Sequence, residues 1–279
     1  MRELSGRVAV ITGAASGIGR ALALRLGAEG MTLMLADVEP GGLAETAALV
    51  EKASAVKALT QITDVSDSAA VHHLADRTFG ELGAVHVLCN NAGVFQGGRM
   101  WTREPEDFAW LLGVNLWGVL HGIHAFVPRM IQQDSEGHIV NTVSISGLFA
   151  APYSGAYSVS KYAAFAASQS LAQDLALAGS KLRVTALCPG GVRTAIASSE
   201  RVRPPELATG RTPDERDGNE IIGGIVERGI EPERVAGQVV EAIREERFLL
   251  LTHPGYPAGL REQTEALLAG GLPPLPRYE

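Results

Sequence analysis

The chain has 279 residues, 46% hydrophobic and 20% charged, with a formal net charge of −7, a balance that suits one large soluble domain with a full core. Phosphate-rich partners require concentrated Lys and Arg, so the acidic excess argues against a nucleic-acid or anionic-membrane surface and points to small molecules. Cys89 and Cys188, the two cysteines, each close an apolar run and read as small buried hydrophobes rather than a disulfide framework.

The N-terminus passes at once into Val8-Ala9-Val10-Ile11, with no signal-peptide pattern, and no run of 18 apolar residues suggests a membrane span. A cytoplasmic protein is expected. Short β-branched runs alternate with longer helix-like segments, the pattern of an α/β fold whose parallel sheet is covered by helices on both faces. The expected strands run from Val8 to Thr12, Thr32 to Asp37, Lys57 to Thr63, Val85 to Asn90, His138 to Val143, Arg183 to Cys188 and Phe248 to Thr252. Helices are expected at Ile18 to Glu29, Gly42 to Lys52, Ser66 to Phe79, Pro105 to Gln132, Tyr153 to Ala178 and Pro232 to Glu245.

The first strand is followed by Thr12-Gly13-Ala14-Ala15-Ser16-Gly17-Ile18-Gly19. Glycines there let the backbone turn tightly and approach a pyrophosphate, which the free N–H groups of the next helix would stabilise. The same glycines also serve any tight strand-to-helix turn. Asp37 ends the second strand, where a carboxylate accepts hydrogen bonds from ribose hydroxyls and repels a 2′-phosphate. Its neighbours Ala36 and Val38 are not basic, and Ser16 stands where a basic residue could have met that phosphate, so NAD is expected over NADP. Arg20 is the cation to watch, on the outer face of the first helix. Asp64-Val65 closes the third strand, as a helix N-cap, as a partner for an adenine amino group, or as both. Asn90-Asn91-Ala92-Gly93 ends the fourth strand in small residues that permit close approach of a cofactor.

Within Leu111-Leu112-Gly113-Val114-Asn115-Leu116-Trp117, Asn115 puts an amide in apolar surroundings, where it must bond to local backbone or hold a water. His121 and His124 follow at helical spacing without a third metal ligand, and no metal site is expected. Ser144 lies on the loop after the fifth strand, placed to donate to a substrate oxygen. Tyr157 and Lys161, four residues apart on a helix, share one face. An ammonium beside a phenol stabilises the phenolate, which makes Tyr157 a usable acid or base near neutral pH.

With these motifs in one order, the chain closely resembles the classical branch of the short-chain dehydrogenase/reductase family, from about Arg7 to Thr194. The resemblance implies a Rossmann-type doubly wound sheet of seven strands, with Asn115, Ser144, Tyr157 and Lys161 as a catalytic tetrad. It implies that Tyr157 exchanges the alcohol proton, Ser144 steadies the substrate oxygen, Lys161 tunes Tyr157 and holds the nicotinamide ribose, and Asn115 positions a water. The implied dinucleotide set is Gly13, Ser16, Gly17, Ile18, Gly19, Asp37, Asp64, Val65, Asn91, Ala92 and Gly93, together with Tyr157 and Lys161. Pro189, Gly190, Val192 and Thr194 resemble the segment that orients the nicotinamide carboxamide.

The stretch from Thr194 to about Glu231 reads as a long substrate lid without a clear strand, and the residues from His253 to Glu279 as a proline-bearing tail. Phe95, Leu148, Phe149 and Tyr153 follow catalytic-edge strands and are expected to make an apolar, roomy pocket. The expected activity is NAD-dependent interconversion of a secondary alcohol and a ketone, on a bulky apolar or aryl substrate. An NADP-dependent carbonyl reductase and a non-catalytic dinucleotide-binding regulator are the alternatives. Family likeness also implies a homo-oligomer, tetramer or dimer, formed through the two long helices.

Overall fold

The computed structural model describes residues 1–275. Seven parallel strands form one sheet: β1 (Val8–Thr12), β2 (Thr32–Asp37), β3 (Ala58–Ile62), β4 (Val87–Asn90), β5 (Gly137–Thr142), β6 (Leu182–Cys188) and β7 (Leu249–Leu251). Their spatial order is β3-β2-β1-β4-β5-β6-β7. The helices are α1 (Gly17–Ala28), α2 (Pro40–Ser54), α3 (Ser68–Leu82), α4 (Pro105–Leu112), α5 (Gly118–Gln132), α6 (Gly155–Leu177), α7 (Pro213–Glu227), α8 (Pro232–Arg244) and α9 (Tyr256–Leu268).

The apolar strand runs follow from burial on both faces, since successive side chains point to opposite sides of a sheet. In β1 and β2, Ile11, Leu33 and Leu35 enter the core beneath α1 and α8, with Leu22, Leu26 and Val239. Their neighbours Val10, Met34 and Ala36 enter the opposite core beneath α3 and α5, with Leu74 and Phe126. Each large side chain buried this way contributes about 1.5–3 kcal/mol. The strand order reverses between β1 and β4, which opens a crevice at their carboxyl ends. Open α/β sheets bind ligands at that point.

The expected strand boundaries hold to within one or two residues. The run from 105 to 132 is long and apolar enough to cross a bilayer, yet Ala125, Phe126 and Met130 are buried against the sheet. It is a core helix, interrupted by a π-helical turn at Gly113–Trp117. Three expectations change. Asp64 does not cap α3: its Oδ1 accepts from the backbone N–H and hydroxyl of Ser66 at 2.8 and 2.7 Å, and α3 starts later, capped by Asp67. Tyr153 precedes α6 with a left-handed φ of +61°. The stretch from 194 to 231, expected as a long loop, holds short 3-10 turns and α7, and the proline-bearing tail holds α9; the tail beyond 275 lies outside the described residues.

The signals for these helices were chemical rather than periodic. Thr212 accepts from the Glu215 N–H at the start of α7, with Pro213 in its first turn, where a missing N–H costs nothing. Pro257 has the same place in α9.

Candidate active site

At the carboxyl end of β1 the backbone turns through Gly13 and Gly17 with φ of +67° and +52°, conformations that disfavour any side chain. Space is equally restrictive. A Cβ at Gly13 would lie 2.7 Å from the Ala92 backbone, one at Gly17 2.9 Å from the Thr194 side chain, and one at Gly19 1.9 Å from the Gly13 carbonyl. Ser16 at the N-cap of α1 makes no side-chain cap bond, so the first-turn N–H groups are not used up by it. Asn91 ties the strand ends together: its N–H donates to Thr12 Oγ1 at 2.9 Å, its Nδ2 to the Thr12 carbonyl at 3.0 Å, and its Oδ1 accepts from Thr142 at 3.1 Å.

Asp37 is fixed by its own loop. One oxygen accepts from the Ala15 N–H at 2.8 Å and the other from the Glu39 N–H at 3.0 Å. A carboxylate has lone pairs beyond these two for ribose hydroxyls. Arg20 turns away onto α2, donating to the Ala15 carbonyl, Thr46 and Glu45 at 2.7, 3.0 and 2.6 Å.

Further along the same crevice, α6 presents Tyr157 and Lys161, both buried. The Lys161 ammonium donates to the Thr142 carbonyl at 3.0 Å and lies 5.7 Å from the centre of the Tyr157 ring. Burial pulls its pKa down from 10.5 to about 8. Ser144, in extended backbone, accepts from the Ser146 N–H at 3.1 Å, which leaves its O–H proton to donate. Cys188 sits behind this wall, its thiol pushed up to about 12 by burial; it is inert packing.

Asn115 lies in the π-helical turn and is fully buried. Its Oδ1 accepts from the Val94 N–H at 2.9 Å, and its Nδ2 donates to the Val94 carbonyl at 2.9 Å and Ser160 at 3.0 Å. The amide is therefore bonded to neighbouring backbone, the first of the two readings open from sequence. Its side chain holds the loop after β4 against α6.

Gly13, Ser16, Gly17, Asp37, Glu39 and Asn91 line one cavity of about 320 Å³ together with Ser144, Tyr157 and Lys161, while Asn115 lies behind its wall. Beside Tyr157 the walls are Val94, Trp110, Val114, Ile196, Val202 and Leu207. The four aromatic and aliphatic residues expected here are not on those walls. Leu148 and Phe149 pack toward α9, with Phe149 and Tyr256 6.4 Å apart between ring centres, because α9 supplies an apolar face that sequence had not placed there. Tyr153 faces outward to Arg99, and Phe95 backs the Tyr157 ring edge-on at 5.0 Å. Trp110 and Val202 were missed; helical spacing alone does not separate a cavity-facing residue from a core-facing one.

A buried ionic network holds the segment after β6 over this apolar end. Asp107 on α4 accepts from Arg203 and Thr209 at 2.7 Å and from Gln96 at 2.9 Å, while Arg103 lies 3.5 Å from Asp107 and 3.4 Å from Glu215 of α7. Burial would raise the Asp107 pKa, yet the bonds from Thr209, Arg203 and Gln96 hold it below the usual carboxylate value. Arg203 also lies over the Trp110 ring, 4.9 Å from its centre. This segment is thus anchored by charge pairs with almost no exposure. Among the described residues no cluster of three metal-ligating side chains occurs; His121 instead bonds to the Val65 carbonyl, and His124 to His72.

The model of the short chain dehydrogenase family matches residues 7–204. A 1-deoxy-11-beta-hydroxypentalenate dehydrogenase from Streptomyces arenae is 37% identical over 262 residues, covering 92% of this chain and 86% of that protein. A C alpha-dehydrogenase from a Sphingobium species is 30% identical over 274 residues, covering 98% and 89%. Among solved structures, a short chain dehydrogenase/reductase from Burkholderia phymatum in complex with NAD superposes with a TM-score of 0.96, at 41% identity and 99% coverage of both chains.

Proposed function

The chain belongs to the short-chain dehydrogenase/reductase family, and from that premise we propose that it is an NAD-dependent oxidoreductase interconverting a bulky apolar or aryl secondary alcohol and its ketone. The observation that carries this reading is one cavity with a glycine cradle and the Asp37 carboxylate in one part, and Tyr157, Ser144 and Lys161 against an apolar wall in the other. A Cβ at Gly13, Gly17 or Gly19 would collide with Ala92, Thr194 or the Gly13 carbonyl, so the chain keeps a tight turn of bare backbone leading into the N-terminus of α1, which fits a dinucleotide diphosphate. Asp37 would hold the adenosine ribose, Asp64 and Val65 the adenine, and Asn91 to Gly93, Pro189, Gly190, Val192 and Thr194 the nicotinamide end. NAD, when bound, supplies the hydride chemistry.

The protein's own part is orientation and proton transfer. Tyr157 takes the hydroxyl proton during oxidation and returns it during reduction, while Ser144 donates to the substrate oxygen. Lys161, held by Thr142, places a cation beside the phenol ring and favours its ionised form. Asn115 positions these groups by fixing the loop at Val94. Trp110, Val114 and Leu207 surround the carbon skeleton and offer it no charged group, which supports a neutral, apolar substrate. The NAD complex of the Burkholderia phymatum protein and the names of the two dehydrogenases support the same class. Exposed Trp117, Val159 and Tyr162 along the two long helices support self-association, which light scattering of the purified protein measures.

The test is an NAD+-coupled screen of secondary alcohols spanning small aliphatic, aryl and polycyclic types. Turnover of the aryl or polycyclic members with NAD+ is expected. Preference for small polar alcohols would overturn the substrate class, and turnover with NADP+ alone would overturn the cofactor.

A further inference from the structure

The cavity walls carry two cations, Lys161 and Arg201. Lys161 is committed to Thr142 and Tyr157. Arg201 lies on the 3-10 turn at Ile196–Val202 and reaches across to the loop after β2, where its Nη2 donates to Glu39 Oε2 at 2.7 Å and its Nε to Glu39 Oε1 at 3.2 Å. The remaining Nη1 donates to the Ser198 and Ala195 carbonyls at 3.0 and 3.3 Å. This two-pronged pair joins the lid to the part of the cavity that holds Asp37, because the Glu39 N–H is itself bonded to Asp37. Both side chains are a little over one-third exposed, 38% for Arg201 and 36% for Glu39, and pairs so exposed contribute little to stability. The pair's consequence therefore lies in what each partner is kept from doing.

We propose that Glu39 is a second determinant of cofactor choice, acting with Asp37 by occupying Arg201, the cation that would otherwise receive the 2′-phosphate of NADP. This inference rests on the dinucleotide reading of the cavity. A 2′-phosphate entering beside Asp37 meets two carboxylates and a guanidinium whose fork is already filled. Guanidinium forks bind phosphate and carboxylate in the same two-pronged geometry, so the two acceptors compete for one site. Discrimination of this kind works by withholding a partner from the wrong ligand as well as by repelling it. Without Glu39, Arg201 is free to reach the phosphate.

Binding of NADH and NADPH, followed by cofactor fluorescence at fixed ionic strength, tests this in the Asp37→Asn background, where the first repulsive charge is already gone. Adding Glu39→Gln is expected to tighten NADPH at least tenfold and to leave NADH within about threefold. Adding Arg201→Ala to that double variant is expected to remove the gain. An unchanged NADPH affinity with Glu39→Gln, or a gain that survives Arg201→Ala, overturns the proposal. The control is NADH binding to the wild-type protein: its failure would reject the dinucleotide reading itself and this inference with it, whereas wild-type binding with no gain from Glu39→Gln rejects the inference alone.

Discussion

Lys161→Met separates what the buried ammonium does for chemistry from what it costs the fold. Burial lowers the Lys161 pKa from 10.5 to about 8, so at pH 7 the charged form costs about 3 kcal/mol more in the folded chain than in water. Methionine has a similar length and removes that cost, but it forfeits the 3.0 Å bond to the Thr142 carbonyl, worth about 1.5 kcal/mol for a charged donor. The variant is therefore expected to be about 1–2 kcal/mol more stable at pH 7, a rise of about 2–5 °C in Tm, while losing at least a hundredfold in turnover. The pH dependence fixes the cause. Below about pH 8 Lys161 is protonated in both states and the advantage is constant. Between about 8 and 10.5 the folded chain has released a proton that the unfolded chain keeps, so wild-type stability rises with pH relative to the variant and the advantage shrinks. Thermal unfolding at fixed protein concentration at pH 7 and pH 10 measures this. A variant less stable than wild type at pH 7, or a difference identical at both pH values, would refute the reasoning.

Tyr157→Phe keeps the ring that packs against Phe95 and removes only the acid–base group, so turnover is expected to fall by about 10³-fold with the NADH dissociation constant within about threefold of wild type; a comparable loss of binding would count against the assigned role. Arg103→Met leaves Asp107 and Glu215 without a cation that lies within 3.5 Å of each, and urea denaturation is expected to show a loss of about 3–5 kcal/mol. Gly190→Ala would place a methyl group 2.0 Å from the Tyr256 hydroxyl. Weaker NADH binding is expected, and Tyr256→Phe in the same chain should restore part of it; a single variant that binds normally would show that α9 yields at this point. Trp110→Ala enlarges the apolar wall beside Tyr157 and is expected to shift kcat/KM toward bulkier alcohols within a homologous series, with no shift indicating that the substrate lies elsewhere.

The strands of the sheet were legible because the central ones are buried on both faces, which leaves an unbroken apolar run closed by a chemically marked turn: glycines after β1, Asp37 after β2, Asn90 to Gly93 after β4. The same logic exposed Ser144, Tyr157 and Lys161, since their meaning comes from short spacings on a strand end and a helix. What sequence did not carry was most of the cavity's apolar wall, Val94, Trp110, Val114 and Val202. Leu148 and Phe149 satisfy every local criterion for a pocket residue, yet α9 lies over them, and α9 itself was obscured by prolines that break a helix in its interior but fit its first turn. Trp110 on α4 and Val202 in the segment after β6, by contrast, meet at the wall through an arrangement that depends on Arg203, Arg103, Asp107 and Glu215, residues spread over more than a hundred positions of sequence.

That distribution has a physical basis. Dinucleotide and proton chemistry need backbone and side-chain groups within hydrogen-bond reach of one another, and the topological switch point supplies them from adjacent strand ends. Substrate shape needs only apolar surface at the right distance, which many unrelated residues supply equally well. Here the apolar surface is held by ion pairs with almost no exposure, an arrangement that is costly to break once one partner is lost. A segment tethered in this way favours a preformed pocket over one that collapses around its ligand, so selectivity for substrate should follow the shape of the wall at Trp110, Val114 and Leu207 and respond little to ionic strength, whereas the Glu39–Arg201 pair, a little over one-third exposed, remains open to salt.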